Sequence, residues 1–234
     1  MTAARHAAVA ARIPGAAALG LVAPPSAAVL PATHLADAGW TTEVLALRAA
    51  QLRRTDRRVL ATVWWYSASS VLLAPALAGL ATGIPLSARL PDLALSFRPD
   101  GLPVAAVASA AGSDLAVDVR TTLAAVVAAV AEAGRMRERP LWAIATDSIA
   151  NRLLDLGRVL GDVPGGTALA APLAEAVGPP LPVPRYVDVG RARFVRRASC
   201  CLLYATPHGE VCTSCPRRTP HERAALLDRA ARWV

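Results

Sequence analysis

All four cysteines of the 234-residue chain lie between positions 200 and 215. They are spaced as Cys200-Cys201, ten residues, Cys212, two residues and Cys215. Four thiolates this close in sequence can bind a metal centre, because soft sulfur ligands select zinc, copper(I) or iron–sulfur clusters. This segment is therefore the candidate functional site.

The spacing bears on the kind of centre. Cys212-x-x-Cys215 is a common half-site, since a two-residue spacer lets both sulfurs point at one centre. Adjacent side chains such as Cys200 and Cys201 point to opposite faces of an extended segment. Both can bind only if a turn brings them together or if they face different atoms of a larger cluster. A two-iron cluster fits this better than one small ion, and the plant-type ferredoxin spacing is not matched.

Zinc binding, disulfide bonding and simple packing are three alternative roles for the cysteines. Zinc is the default by ligand type, although structural zinc sites more often use two separated C-x-x-C pairs. Disulfides need an oxidising compartment, and a bridge between adjacent cysteines is strained. Free cysteines can also pack as small apolar residues. Pro207, Gly209 and Pro216 are typical of loops and argue against a packing role.

The same residues carry a resemblance to a known family. The pattern C-C-x10-C-x2-C, with basic residues before it and Leu-Leu-Tyr after the first pair, resembles FhuF-type ferric-siderophore reductases over about the last forty residues. In that family the four cysteines ligate a 2Fe–2S cluster. The resemblance implies this role for Cys200, Cys201, Cys212 and Cys215, and it implies one-electron reduction of Fe(III) held by a siderophore.

Three functions are compatible with this pattern. The first is a cytoplasmic ferric-siderophore reductase, an oxidoreductase acting on metal ions in iron acquisition. The second is a zinc-stapled interaction module without a redox role, and the third is an iron–sulfur sensor. For the reductase we expect as partners a ferric siderophore, an unidentified electron donor, and the inner face of the membrane or an import permease. We expect no nucleic acid, because the arginines are scattered in pairs and no nucleic-acid-binding motif is present.

The net charge is +8, and its positive part comes from 25 arginines and no lysine. Arg196, Arg197 and Arg217 lie closest to the cysteines in sequence. Positive charge there would raise the potential of a cluster and attract an anionic chelate, although an ordinary solvated loop would look the same. His208 and His221 also lie nearby, and we expect them to be bystanders because four cysteines complete a site.

Two apolar segments could be mistaken for membrane or export signals. Residues 1–34 resemble a signal peptide, but the apolar run is short and no clean cleavage site follows it, so we predict a flexible leader. Residues 59–88 carry no charge, but serines, glycines and Pro75 dilute the run, so we predict a buried helix. The expected location is cytoplasmic, with peripheral association with the inner membrane as the alternative.

The fold class predicted from the sequence is α+β. We expect a flexible leader (1–34), a mostly helical siderophore-reductase-like domain with a small antiparallel sheet (35–178), and a C-terminal 2Fe–2S binding segment (179–234). The proline-rich stretch after Gly178 marks the boundary. Trp64-Trp65-Tyr66 could line a substrate pocket, but large side chains of a core helix account for them better.

Hydrophobic periodicity and breaker residues predict the individual elements. Helices are expected over 36–53, from position 56 to about Leu73 where Pro75 would interfere, over 121–133, over 140–161 and from Pro220 onward. Strands are expected in 84–98, 102–109 and 115–119.

Overall fold

The structure, a computed structural model, describes residues 3–207 and 209–233. Eight α-helices and five strands make up most of this part of the chain, so the α+β prediction is confirmed. The helices are α1 (Ala3–Ala11), α2 (Ala38–Leu52), α3 (Arg57–Thr82), α4 (Leu115–Ala133), α5 (Arg139–Val159), α6 (Val163–Ala168), α7 (Ala170–Val177) and α8 (Pro220–Ala230).

Helix α3 is the centre of the core, packed against α5 on one side and against the sheet on another. Its residues are apolar on every face, as expected for a helix surrounded by protein. Trp64 and Trp65 are completely buried, and their indole N–H groups donate to the carbonyl oxygens of Gly101 and Leu141. Both tryptophans are therefore core residues, as predicted.

Helices α3 and α5 run side by side in the same direction. Three contacts fix this alignment, because residues further along α3 meet residues further along α5. The contacts are Trp65 with Leu141, Ser69 with Ser148 and Ser70 with Arg152. The pair forms a rigid platform, and the site described below is built on its surface.

The sheet is antiparallel, with strand order β1 (Ala28–Pro31), β2 (Leu93–Phe97) and β3 (Pro103–Ala108). Strands β2 and β3 lie within the ranges that alternating apolar residues predicted, but the part of 84–98 before Leu93 does not form a strand. The strand predicted over 115–119 is wrong: these residues open α4, because Asp114 accepts a hydrogen bond from the Val117 N–H and caps the helix.

The prediction of a flexible leader is wrong for the described part of residues 1–34. Helix α1 and the turn after it place Val9, Ile13 and Leu21 in the core, with 3% or less of each residue exposed. A ring nitrogen of His6 shares a hydrogen bond with the Leu21 carbonyl, and β1 supplies the edge strand of the sheet. Burial of these alanine-rich segments against α3 and β3 supplies the order that their composition alone does not indicate.

Helix α3 begins as predicted but does not end near Leu73. Asp56 caps it, and the helix continues through Pro75 to Thr82, where Gly83 ends it in a left-handed conformation. A proline inside a helix costs about 3 kcal/mol. Ala76, Leu77 and Ala78, which follow it, are almost completely buried, so the packing of this last part outweighs the lost backbone hydrogen bond.

Helix α3 is also long and apolar enough to cross a membrane by length and composition, but 83% of its most apolar stretch is buried inside the protein. This burial is the pattern of a core helix, as the sequence predicted.

After α7 the chain forms a hairpin of strands β4 (Tyr186–Val189) and β5 (Ala192–Val195), then the cysteine segment, then α8. The hairpin packs on α5, where Val195 meets Ala150 and Leu154 and the Tyr186 hydroxyl donates to the Ala150 carbonyl. Helix α8 starts with the predicted capping box between Thr219 and Glu222. The division of the chain into domains stays a prediction.

A pair of leucine substitutions tests the central position of α3. Leu72→Ala should lower the free energy of unfolding by about 2–5 kcal/mol, since Leu72 is fully buried in α3 and truncation leaves a cavity. Leu47→Ala, in α2, removes the same atoms from a residue that is 42% exposed and should cost less than about 1 kcal/mol. Urea unfolding followed by circular dichroism measures both, and equal losses would contradict this core.

Candidate metal centre

The cysteine segment is attached to α5 through one buried carboxylate, that of Asp147. Its oxygens accept hydrogen bonds from the Ala198 N–H at 2.7 Å and the Ser199 N–H at 3.2 Å. The Arg197 guanidinium forms an ion pair with it at 3.3 Å. Three consecutive residues just before Cys200 are therefore held by a side chain of the helical platform.

This carboxylate is almost completely enclosed, with 1% of the Asp147 side chain exposed. Burial raises the pKa of Asp147, while the Ala198 N–H and the Arg197 charge act in the opposite direction. A buried carboxylate is tolerated when its oxygens are paired and hydrogen-bonded, and here both conditions are met. The interaction fixes where the chain enters the cysteine segment.

The four sulfur atoms fall into two pairs, one defined by a direct contact between its sulfurs and the other by a nitrogen atom that both of its sulfurs contact. The Sγ atoms of Cys200 and Cys215 are 3.8 Å apart. The Sγ atoms of Cys201 and Cys212 each lie 3.5 Å from the same Arg197 Nη1 atom. Each pair joins one member of the adjacent dipeptide to one member of the C-x-x-C half-site, so Cys200 and Cys201 face different partners.

Arg197 connects the sulfurs to the platform. One edge of its guanidinium meets Asp147, Nη1 points at the two sulfurs, and Cζ lies 4.9 Å from the centre of the Tyr66 ring on α3. Burial alone would lower the pKa of Arg197, but the hydrogen bond to Cys201 and the charges of Cys201 and Asp147 outweigh it and raise the pKa. This arginine is therefore a fixed positive charge beside the thiols.

The donor set fits a 2Fe–2S cluster. Burial raises the pKa of the Cys200 thiol; the Leu202 N–H acts in the opposite direction, and the nearby Cys215 and Cys201 thiols raise it further. Because metal ligation requires the thiolate, a cationic centre would stabilise the deprotonated form of Cys200. Two buried donors at the site, Arg197 Nη2 and Ser199 Oγ, have no partner in the described residues and could donate to cluster sulfur atoms.

A single metal ion fits less well. Among residues 3–207 and 209–233, no group of three or more His, Cys, Asp or Glu side chains is arranged to hold one metal ion. Tetrahedral zinc would need all four sulfurs around one point. The paired arrangement instead suits a centre with two separate ends.

The other residues predicted near the site have different surroundings. Arg196 is exposed beside the hairpin, and its N–H donates to the Arg185 carbonyl. Arg217 is exposed and stacks on the Tyr204 ring at 5.2 Å. His221 is exposed in the first turn of α8, and His208 lies outside the described residues. Of the three predicted arginines, only Arg197 is seen to contact sulfur atoms.

Sequence reasoning missed Asp147 and favoured a core role for Tyr66 over its alternative as a pocket residue. Asp147 lies one helical turn from Ile144 and from Ala150, on the apolar face of α5. An acidic residue within an otherwise apolar face was the signal in the sequence that could have indicated a buried, paired carboxylate. Tyr66 was assigned to the core with the two tryptophans, but it is half-buried beneath Arg197.

Two cavities of the described part of the chain are each lined by three arginines. A cleft of about 360 Å³ adjoins the cysteine segment, lined on one side by Thr146, Asp147 and Ala150 and on the other by residues 182–185 and 195–198. A wider groove of about 980 Å³ lies at the first turns of α3 and α5, lined by Arg58, Arg135 and Arg137 among others. The groove has no lining residue from the cysteine segment.

Comparison with known proteins bears on the cysteine segment. Residues 197–217 match the family model described as FhuF 2Fe-2S C-terminal domain, and the match contains all four cysteines. The resemblance found in the sequence is confirmed, and the cofactor of this segment is a 2Fe–2S cluster. A comparison with curated proteins gave no match.

Asp147→Asn tests the attachment of the segment. The amide loses the charge that balances Arg197, and breaking a buried ion pair typically costs about 3–5 kcal/mol. We expect a loss of unfolding free energy in this range and faster proteolytic cleavage within 197–217. Urea unfolding and limited proteolysis measure the two effects.

The control for this variant is Asp155→Asn on the same helix. Asp155 pairs only with Arg158 among the described residues, its side chain is 45% exposed, and such pairs contribute about 0–1 kcal/mol. If both variants lost the same stability and were cleaved at the same rate, Asp147 would not hold the segment.

Proposed function

We propose that the protein is a reductase that delivers single electrons to Fe(III) chelates, in the manner of ferric-siderophore reductases. The observation that carries this proposal is the match of residues 197–217 to the FhuF 2Fe-2S domain, together with four thiols converging at one site. The rest of the chain supplies a rigid platform and positive charge around that site.

The four cysteines are the proposed cluster ligands. All four would hold the cluster, and the direct contact of the Cys200 and Cys215 sulfurs places these two at the same end of it, apart from the two sulfurs beside Arg197. This arrangement uses the adjacent cysteines without requiring both side chains to bind the same atom. It also places Arg197 and Tyr66 on the side of Cys201 and Cys212.

The bound cluster supplies reversible one-electron transfer between a donor and the chelated iron. Arg197 contributes a charge and N–H donors that favour added negative charge on the thiolates. Asp147 holds this guanidinium in place, and Tyr66 covers its face. Because these groups are fixed before an electron arrives, little reorganisation is needed when the charge changes.

The reaction balances as one electron for each iron. A one-electron donor gives an electron to the protein, and Fe(III) in the chelate becomes Fe(II). Hard oxygen chelators hold Fe(II) far less tightly, so the metal dissociates and the freed chelator oxygens take up protons from water. No acid or base of the protein is required for this step.

The setting of the reaction forms part of the proposal. Four thiols that must stay reduced point to the cytoplasm, where disulfides are rare. The partners would be a ferric siderophore and an electron donor, and association with the inner membrane face or an import permease would bring the protein to incoming chelate.

The proposed function is tested by spectroscopy and turnover on protein purified without oxygen. The intact protein should show visible absorption that bleaches with dithionite, a spin-one-half EPR signal when reduced, and Fe(II) release from ferric chelates trapped by ferrozine. Cys212→Ser should lose the cluster and the reduction together, whereas Ser214→Ala, between the two cysteines of the half-site, should keep both. A colourless protein with stoichiometric zinc, or full reduction without cluster, would refute the proposal.

Arg197→Gln should lower the reduction potential of the cluster. Loss of a charge and of N–H donors to the sulfurs disfavours the reduced state, and a change of roughly 60 mV corresponds to about 1.4 kcal/mol in a one-electron couple. EPR-monitored redox titration measures the shift. Arg217→Gln makes the same change of charge in the same segment at a residue that stacks on Tyr204, and it should shift the potential much less. Equal shifts of the reduction potential in the two variants would show that the change in net charge, and not the contact of Arg197 with the sulfurs, sets the potential.

A further inference from the structure

We propose that the cleft of about 360 Å³ between α5 and the strand β5 side of the cysteine segment binds the Fe(III) chelate, and that it selects chelates of negative net charge. This inference rests on the proposed function and adds a binding site and a substrate class to it. Arg185 and Arg196 are the proposed chelate-binding residues.

The cleft lies directly beside the cysteine site. Arg197 lines the cleft and also lies 3.5 Å from the sulfur atoms of Cys201 and Cys212. Ala198, two residues before Cys200, lines it as well. A molecule in the cleft is therefore separated from the cysteine site by a single side chain or a short stretch of backbone, which keeps the path of the electron short.

The cleft also carries unpaired positive charge. Three arginines line it, and the one carboxylate among its lining residues, Asp147, is already paired with Arg197. Arg185 and Arg196 are both exposed, and neither forms a salt bridge within the described residues. Their charges are thus available to an anion, for which arginine is well suited by its planar fork of donors.

The walls of the cleft are held in place by hydrogen bonds. The Thr146 hydroxyl donates to the Pro182 carbonyl at 2.8 Å, which ties the proline-rich wall to α5. The Arg196 N–H donates to the Arg185 carbonyl at 2.8 Å, which holds the two arginines side by side. Proline and valine side chains form much of the remaining wall. The cleft is therefore already formed, and a volume near 360 Å³ is within the usual size of small-molecule sites.

The wider groove at the first turns of α3 and α5 is a poorer candidate. Glu132 and Glu138 lie among its arginines and offset much of their charge. Its lining residues belong to α3, α4, α5 and the connection between the last two, and none comes from the cysteine segment. An electron would have further to travel to a chelate bound there.

The test uses gallium(III) chelates, which match Fe(III) in size and charge but are not reduced under these conditions. Isothermal titration of the cluster-loaded protein compares trianionic gallium tris-catecholate with neutral gallium tris-acetohydroxamate. We expect the trianion to bind at least about tenfold more tightly and to lose affinity as salt is added. Equal affinity for the two chelates would overturn the selection by charge.

Three single substitutions locate the site. Arg185→Glu and Arg196→Glu should each weaken tris-catecholate binding roughly tenfold or more, about 1.4 kcal/mol. Arg191→Glu changes the charge equally at the exposed turn of the same hairpin and should weaken binding less than about twofold. Unchanged visible absorption verifies that each variant keeps its cluster. Affinities that fall equally in all three variants would overturn the assignment of the cleft.

Failure of the binding site and failure of the reductase proposal give different results. In single-turnover mixing of the reduced protein with ferric tris-catecholate, slower Fe(II) formation in the two cleft variants but not in Arg191→Glu supports the site. Fe(II) formation at equal rates in all variants overturns the site and leaves the reductase intact. Binding that depends on Arg185 and Arg196, without any Fe(II) formation, overturns the reductase function and keeps the anion site.

Discussion

The site depends on one buried interaction, the docking of the chain before Cys200 onto the carboxylate of Asp147. The carboxylate accepts hydrogen bonds from two backbone N–H groups and forms an ion pair with one guanidinium. It therefore fixes both the direction of the chain and the position of Arg197. A loop with several prolines and a glycine has no regular structure to hold it in place. Without this anchor the chain that enters the segment at Cys200 would lose its fixed position on α5, and the contacts further along, such as that of the Arg54 guanidinium with the Ala205 carbonyl, would have to hold the segment alone.

Docking of Arg197 requires side chains from both of the long parallel helices that form the platform. Asp147 comes from α5 and Tyr66 from α3, and the two side chains enclose Arg197 from different directions. Their separation is set by the packing between the helices, including the buried Ser69–Ser148 hydroxyl contact at 2.7 Å. A rigid core thus places the guanidinium beside the sulfurs, although every sulfur belongs to an irregular segment. This is how a scaffold can orient functional groups that lie on loops.

The cysteine cluster, whose members are the proposed ligands, could be recognised from the sequence because its signal is local, whereas its anchor could not. Clustering and spacing identify Cys200, Cys201, Cys212 and Cys215 without knowledge of the fold. Asp147 is one acidic residue within a helical pattern, and its partners are about fifty positions away in the chain. The residues next to it in the sequence therefore do not indicate that it holds the cysteine segment. The ordering of the first thirty residues and the continuation of α3 through Pro75 were missed for the same reason, since both depend on tertiary burial that outweighs local preference. Caps such as Asp56 and Thr219 were predictable because their partners lie within one turn.

The charges near the cysteines divide into two kinds, and the division follows from burial. Arg197 is enclosed, with 5% of its side chain exposed, and its charge is held by Asp147 and the sulfurs in a medium where screening is weak. Arg185 and Arg196 are solvated and free to meet a ligand. Under the proposed function, the enclosed arginine acts on the energy of electrons at the sulfurs, and the solvated pair acts on the encounter with an anion. Arg197 lines both the cysteine site and the cleft. Under the two proposals made above, the guanidinium that favours an added electron would therefore also face the place from which a chelate accepts it.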